Sequence, residues 1–157
     1  MRFFIIMSIL FLNVVKSLNL QLISPIFGPS EFKNTIIENI KNANSSIKAT
    51  IYKFDDDDIF DALNTVGENG IIFDMICDTN IYKKCLQLNS YGKINEFNMK
   101  SYSKLHAKSI LIDNQILILG SFNLDESAFS NNMEIGVIIN DKDTIDKYNN
   151  FIQKVKD

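Results

Sequence analysis

One histidine, His106, is all that the 157 residues contain, alongside two cysteines, two prolines, six glycines and no tryptophan. A zinc site with two or three histidines is therefore excluded within one chain, and Cys77 and Cys85 with one histidine match no familiar ligand spacing. Any reaction needing two imidazoles must take the second from another chain. The two cysteines leave two options, a disulfide or two free thiols, since Cys77 ends an apolar run and Cys85 lies in the polar segment after it. There is no internal repeat and no low-complexity linker. A composition of 46% hydrophobic and 22% charged residues does not suggest disorder, and the length suits one domain with a sizeable core.

Charge of one sign is also scarce where function would use it. Beyond residue 17 there remain 14 basic and 19 acidic residues, a net charge of −5. Nucleic-acid binders usually present a basic surface, so this balance argues against a protein that coats DNA. It leaves room for a locally basic cleft in an acidic shell, because local field and net charge are separate quantities. Phe3 to Val15 is nearly all apolar, follows the single basic Arg2 and ends at Lys16-Ser17. Such a run fits the hydrophobic part of a signal peptide and is shorter than the ~20 residues of a membrane span. The expected division is a leader or membrane anchor over residues 1–17 and one domain over 18–157. The expected location is exported, periplasmic or secreted, or held at a membrane through residues 3–15. The alternative for this run is a buried first strand or helix.

Along the rest, Leu18 to Ile23 is strand-like, and Ser24-Pro25 through Gly28-Pro29 is turn material. Ser30 is expected to cap a helix carrying Phe32, Ile36, Ile37 and Ile40. Ile47 to Phe54 is a strand, followed by Asp55 to Asp58. Four consecutive aspartates lack the interleaved spacing and turn glycine of a calcium loop, whereas an Asp cap favours a helix start, and Ile59, Phe60, Leu63 and Val66 continue at helical spacing. Gly67 and Gly70 are expected to end that helix. Ile71 to Asp78 is a strand, Thr79 to Gly92 a short helix and loop, and Lys93 to Met99 another strand. Leu105 to Ile112 and Gln115 to Leu119 flank Asp113-Asn114 as a hairpin. A short helix over Leu124 to Phe129, a strand over Met133 to Ile139 and a closing helix over Asp141 to Lys156 complete the reading. Alternating strands and helices predict an α/β fold, a mixed β-sheet with helices on both faces.

The chemistry gathers at the hairpin. His106 and Lys108 alternate onto one face of the expected strand, and the return strand ends in Gly120-Ser121-Phe122-Asn123. That brings a nucleophile, a cation and two polar donors around one phosphate. Neutral imidazole is a competent nucleophile near neutral pH. Lysine suits phosphate oxygens, and one well-placed donor to developing charge is worth roughly 3–4 kcal/mol. Glu134 is the candidate acid to orient the imidazole.

The pattern H-x-K-x4-D-x6-G-S-x-N, from His106 to Asn123, resembles the HKD signature of the phospholipase D superfamily. Ser45 to Ala62, Gly70 to Asp78, and Ser127-Ala128 with Asn131 to Glu134 are similar to the small single-motif members, the Nuc-like bacterial endonucleases, so the resemblance covers residues 20–155. It implies an α-β-α sandwich and a metal-independent phosphodiester hydrolase with no cofactor. It also implies a homodimer whose shared site carries two motifs. In that scheme His106 forms a phosphohistidine, and His106 of the partner subunit serves as general acid and then base. Lys108 and Asn123 hold the phosphate, Ser121 supports the phosphate or the histidine, and Glu134 orients His106. Asp113 and Gly120 are structural.

The expected substrate is nucleic acid, DNA or RNA and with single strands favoured, with Lys100, Tyr102 and Lys104 as rim contacts beside Lys83, Lys84 and Lys93. The alternatives are a membrane-associated phospholipase D or cardiolipin hydrolase, and an inactive nucleic-acid-binding module.

Overall fold

The computed structural model describes residues 20–24 and 27–156, so the apolar run of residues 3–15 lies outside the described residues. Seven short segments form strands, some alternating and some continuously apolar: β1 (Leu20–Ile23), β2 (Ser46–Ile51), β3 (Ile72–Cys77), β4 (Gly92–Glu96), β5 (Ser109–Ile112), β6 (Ile116–Gly120) and β7 (Gly136–Ile139). They join in one sheet of order β1-β7-β6-β5-β2-β3-β4. Strands β2, β3 and β4 run parallel, while β5, β6, β7 and β1 each run antiparallel to the neighbour before them. The helices are α1 (Pro29–Lys41), α2 (Asp57–Glu68), α3 (Tyr82–Cys85), α4 (Glu126–Ser130) and α5 (Lys142–Lys156), with a 3-10 turn over Leu86–Tyr91.

The period of two sorts the side chains into two cores. Ile47, Ala49 and Ile51 of β2, Phe73 and Met75 of β3, and Ile110 and Ile112 of β5 meet Ile36 and Ile40 of α1 and Ile59, Leu63 and Val66 of α2. On the opposite face Ile76, Leu111, Leu117 and Ile139 meet Ile145, Tyr148, Ile152 and Val155 of α5. Each such buried side chain contributes about 1.5–3 kcal/mol. The expected mixed sheet with helices on both faces is the fold observed. A buried polar ladder fixes α5 on its face: Thr50 and Ser109 hydroxyls lie 2.5 Å apart, and Ser109 lies 2.7 Å from the Tyr148 hydroxyl. Burial pushes the Tyr148 hydroxyl up to about 12, against the opposing effect of those hydrogen bonds.

Local chemistry set several boundaries differently from expectation. Helix α1 begins at Pro29 with Gly28 as its N-cap, so Ser30 is inside the first turn. Proline's fixed φ and missing N–H suit that first position. Gly67 lies within α2, where the Tyr91 ring occupies the space a Cβ would take. Strand β4 ends at Glu96, and β7 begins only at Gly136. The aspartate run does start a helix: Asp56 is the N-cap of α2, its carboxylate accepting from the Ile59 N–H at 3.1 Å. Lys33 pairs with Asp56 at 2.8 Å and with Asp58 at 2.6 Å. Cys77 and Cys85 form a disulfide in the core, joining the end of β3 to α3.

The end of β6 depends on a cross-strand pair of glycines. Gly120 and Gly136 face one another in register, and the Phe122 ring packs over both. A Cβ on Gly120 would sit 2.5 Å from that ring and 2.5 Å from the Ile135 carbonyl oxygen. The ring, 1% exposed, then meets Phe32 edge-on at 5.4 Å. Gly120→Ala is expected to lower stability by about 1–3 kcal/mol, as overpacking does, measured by urea unfolding; an unchanged midpoint would contradict this packing.

Candidate active site

With Phe122 turned into the core, its neighbours Ser121 and Asn123 stand at the opposite, polar side of the chain. Leu124 continues the anchoring: its N–H donates to the Lys53 carbonyl at 3.1 Å, and its carbonyl accepts from Asp55 and Asp56. Asp125, buried, caps α4 by accepting from Ala128 N–H at 3.0 Å. The turn after β6 is therefore held against the turn after β2, which carries Tyr52 and Lys53.

His106 and Lys108 reach the same end of the sheet, though not on a strand as expected. Strand β5 begins at Ser109, opposite Thr50, so both residues precede the ladder. The two side chains adjoin nonetheless. The Lys108 ammonium lies 3.0 Å from Nδ1 of His106, 3.2 Å from Nε2, and donates to the His106 carbonyl at 2.8 Å. The imidazole packs on the Tyr52 ring with centroids 4.4 Å apart. Lys108 and Lys104 lie over that same ring at 4.9 and 5.7 Å, within cation–π range.

These neighbours disfavour the imidazolium form of His106. One side of the ring is open to solvent and the other rests on Tyr52. Partial desolvation lowers the His106 pKa from 6.5, and the positive charges of Lys108, Lys104 and Lys53 lower it further, against the pull of Asp78. Desolvation likewise lowers the Lys108 pKa, with Lys104 and Lys53 reinforcing and Glu134 and Asp125 opposing. Three lysines around one histidine make a basic spot in an acidic chain, suited to an anion.

Ser121 donates its hydroxyl hydrogen to Glu134 Oε2 and accepts from the Ile135 N–H at 3.2 Å. Glu134, buried, also accepts from Asn132 at 3.1 Å, and its carbonyl accepts from Ser24 at 2.6 Å. Within one chain the Glu134 carboxylate is held by Ser121 and Asn132, directly before β7, and makes no hydrogen bond to His106 of the same chain. The Asn123 Oδ1 is buried with no hydrogen-bond partner among the described residues, an arrangement that costs about 1–3 kcal/mol.

Asp113 sits in the hairpin turn with a positive φ of 54° and takes no place beside His106. Its carboxylate accepts from the backbone N–H groups of Asn44, Ser45 and Ser46 at 2.8–3.1 Å. Burial opposes its charge, but those bonds and the Ser45 hydroxyl outweigh burial and hold the carboxyl at about 2. This is the structural role expected of it. Of the rim candidates, Lys104 belongs to the site and Tyr102 is exposed. Lys100 lines a separate open cleft of about 660 Å³ with Tyr82, Asn95, Asn98 and Lys156. Tyr52 and Lys53 carry no signal in the sequence beyond the apolar alternation of their strand. Among the described residues no three His, Cys, Asp or Glu side chains are grouped to hold a metal ion, and no helix is long and apolar enough to cross a membrane.

A mixed seven-stranded sheet carrying His106, Lys108, Ser121 and Asn123 at one end defines a phospholipase D-type domain. The family described as "Cardiolipin synthase, PLD-like domain" matches residues 36–156, and the chain belongs to this family, within the phospholipase D superfamily of phosphodiester-acting enzymes. Cardiolipin synthase A of Buchnera aphidicola subsp. Schizaphis graminum (strain Sg) is 31% identical over 127 residues, 73% of this chain and 26% of that protein. The chain spans about a quarter of the length of the curated relatives it matches. NucT from Helicobacter pylori superposes with a TM-score of 0.78 at 27% identity, covering 88% of this chain and 96% of that one. Nuc from Salmonella typhimurium, a phospholipase D family member, shares the fold with a TM-score of 0.75 at 22% identity, over 88% and 94% of the two chains.

The lone histidine gives a single-probe titration. The imidazole resonance should titrate below 6.5, and Lys104→Gln should raise its midpoint by removing a positive charge. If neutral His106 is the active form, the acid limb of kcat/KM moves upward with it. A midpoint at or above 6.5, unmoved by Lys104→Gln, would contradict the electrostatic picture.

Proposed function

We propose that the protein is a phosphodiesterase that cleaves nucleic acid, single-stranded DNA or RNA in preference to duplex, through a phosphohistidine at a site completed by a second copy of the chain. The observation that carries the chemistry is the imidazole of His106 packed on Tyr52 and adjoining the Lys108 ammonium at 3.0 Å, with Lys104 over the same Tyr52 ring. Neutral His106 attacks phosphorus, the bond to one bridging oxygen breaks, and that oxygen takes a proton from His106 of the partner subunit, which enters the step as the imidazolium. Water then attacks the phosphohistidine, giving its proton to the same partner imidazole, and His106 is freed. Lys108 and the Asn123 amide hold the nonbridging oxygens, while Glu134 holds Ser121 in place. No step calls for a metal.

Two observations favour this substrate and assembly. NucT, a nuclease, matches almost end to end, whereas the cardiolipin synthases match over a quarter of their length. The second copy is favoured because these residues hold one imidazole and because Leu20, Leu22, Met133 and Ile135 are exposed on and beside β1 and β7, adjoining Glu134. An apolar strip of this kind marks an interaction surface. A second reading, hydrolysis or transfer at a phospholipid, is favoured by the family description and by the cardiolipin synthase relatives. An inactive nucleic-acid-binding module is the third; the complete set of His106, Lys108, Ser121 and Asn123 weighs against it.

The test is to incubate the purified protein with labelled single-stranded DNA, duplex DNA, RNA and cardiolipin vesicles in excess EDTA. Cleavage of nucleic acid should survive chelation and fall on the order of 10³-fold or more in His106→Ala. Cleavage of cardiolipin alone would establish the phospholipid reading, and loss of activity in EDTA would end the metal-independent mechanism. Ile135→Glu should yield monomers with lost activity by sedimentation and assay; an active monomer would contradict the shared site.

A further inference from the structure

Asp78 is 1% exposed and forms no ion pair among the described residues. A carboxylate so buried needs a compensating set of hydrogen bonds. It has them, and they join two separate parts of the site. Its backbone N–H donates to the Ile51 carbonyl at 2.9 Å, and Oδ2 accepts from the Leu105 N–H at 2.9 Å. Oδ1 accepts from the N–H of Asn80 at 3.1 Å and from its side chain at 2.9 Å, which fixes the carboxylate plane.

Ile51 is the residue before Tyr52, and Leu105 is the residue before His106. One aspartate therefore ties together the backbones that present the two packed rings. We propose that Asp78 is a positioning residue for His106, a clasp that sets the imidazole against Tyr52 and within reach of Lys108. The proposal rests on the reading of His106 as the nucleophile.

The surrounding structure shows why such a clasp is required. Residues 97–108 contain no helix or strand. Outside the sheet's own ladder, the backbone of residues 100–108 is joined to a distant part of the described chain by the Asp78–Leu105 hydrogen bond alone. The Leu105 side chain is buried on the α5 side of the sheet, so backbone and side chain of this residue are both held and His106 inherits its place. Asp78 is itself well anchored: Cys77 beside it is bonded to Cys85, and the Cys77 carbonyl accepts from the Phe97 N–H at 2.9 Å.

The experiment compares wild type, Asp78→Asn and Asp78→Ala by steady-state kinetics on bis-p-nitrophenyl phosphate and by NMR of the single histidine. A displacement of about 1 Å can cost on the order of 10²-fold in rate. Asp78→Ala is accordingly expected to lose about 30- to 100-fold in kcat with KM within about twofold, and its imidazole resonance should lose the ring-current shift from Tyr52. Asp78→Asn keeps one acceptor oxygen but sets its NH2 against either the Leu105 or the Asn80 donors, so its loss should fall between wild type and Asp78→Ala, with the resonance moved in proportion. A folded Asp78→Ala with wild-type kcat and an unmoved resonance would overturn the proposal, as would a loss of kcat in either variant with the resonance unmoved. Should Asp78→Ala fail to fold, amide exchange in the wild type decides: the Leu105 N–H should be protected like the strand amides, and exchange at the rate of a free loop would overturn the clasp. Because the NMR readouts need no turnover, an inactive wild type would sink the phosphodiesterase reading while leaving the clasp separately testable.

Discussion

A phenylalanine ring set over two facing glycines determines what the end of the β5–β6 hairpin presents. Phe122 enters the core where Gly120 and Gly136 have no side chains, and it meets Phe32 of α1 there. Because that ring goes inward, Ser121 and Asn123 on either side are left for the polar side. Leu124, the next residue, hydrogen-bonds to Lys53, Asp55 and Asp56 and closes the two turns on one another. The polar end of the sheet is thus built from the outside of an apolar joint.

The acidic balance of the chain and the basic character of the site are consistent once the acids are located. Asp56 and Asp125 cap helices, Asp78 holds Leu105, and Asp113 gathers three backbone N–H groups of the α1–β2 connection. These carboxylates stabilise turns through hydrogen bonds to backbone amides; of them Asp78 pulls on His106 and Asp125 on Lys108, opposing the effect of the lysines there. Net charge describes the shell, while a local cluster of three cations determines the field at the imidazole. An anion entering that cluster would relieve the mutual repulsion of the lysines, which is a physical reason for a phosphate group to be held there.

Much of this was legible before any coordinates. The alternation in β2, the continuous apolar runs of β3 and β6 and the helical spacing in α2 and α5 point to the observed layers, and the spacing from His106 to Asn123 points to one end of the sheet. The misses have local causes. His106 lies off the strand because the ladder of β5 on β2 begins only at Ser109, a register fact that no single segment reveals. Ser30 was displaced as a cap by Gly28 because Pro29 can occupy the first helical position. The hydrogen bond of Glu134 to Ser121 within the chain is likewise set by the turn before β7, which its order along the chain does not reveal. Tyr52 reads as one position of an alternating strand and Asp78 as the end of another, and neither carries a signal of its own because their contacts to His106 and Leu105 span 54 and 27 positions of the chain. The pairing of Cys77 with Cys85 was one of two open options until the fold placed both in the core.

The central claim is that His106 becomes covalently bonded to phosphorus during turnover. The direct measurement is an alkaline quench of the protein cleaving a phosphate-labelled oligonucleotide, followed by peptide mapping, since a phosphohistidine survives base and is lost in acid. The account predicts label on the peptide that contains His106, chased away as substrate is exhausted and absent from His106→Ala. Steady turnover with unlabelled protein, or label on any other residue, would contradict it.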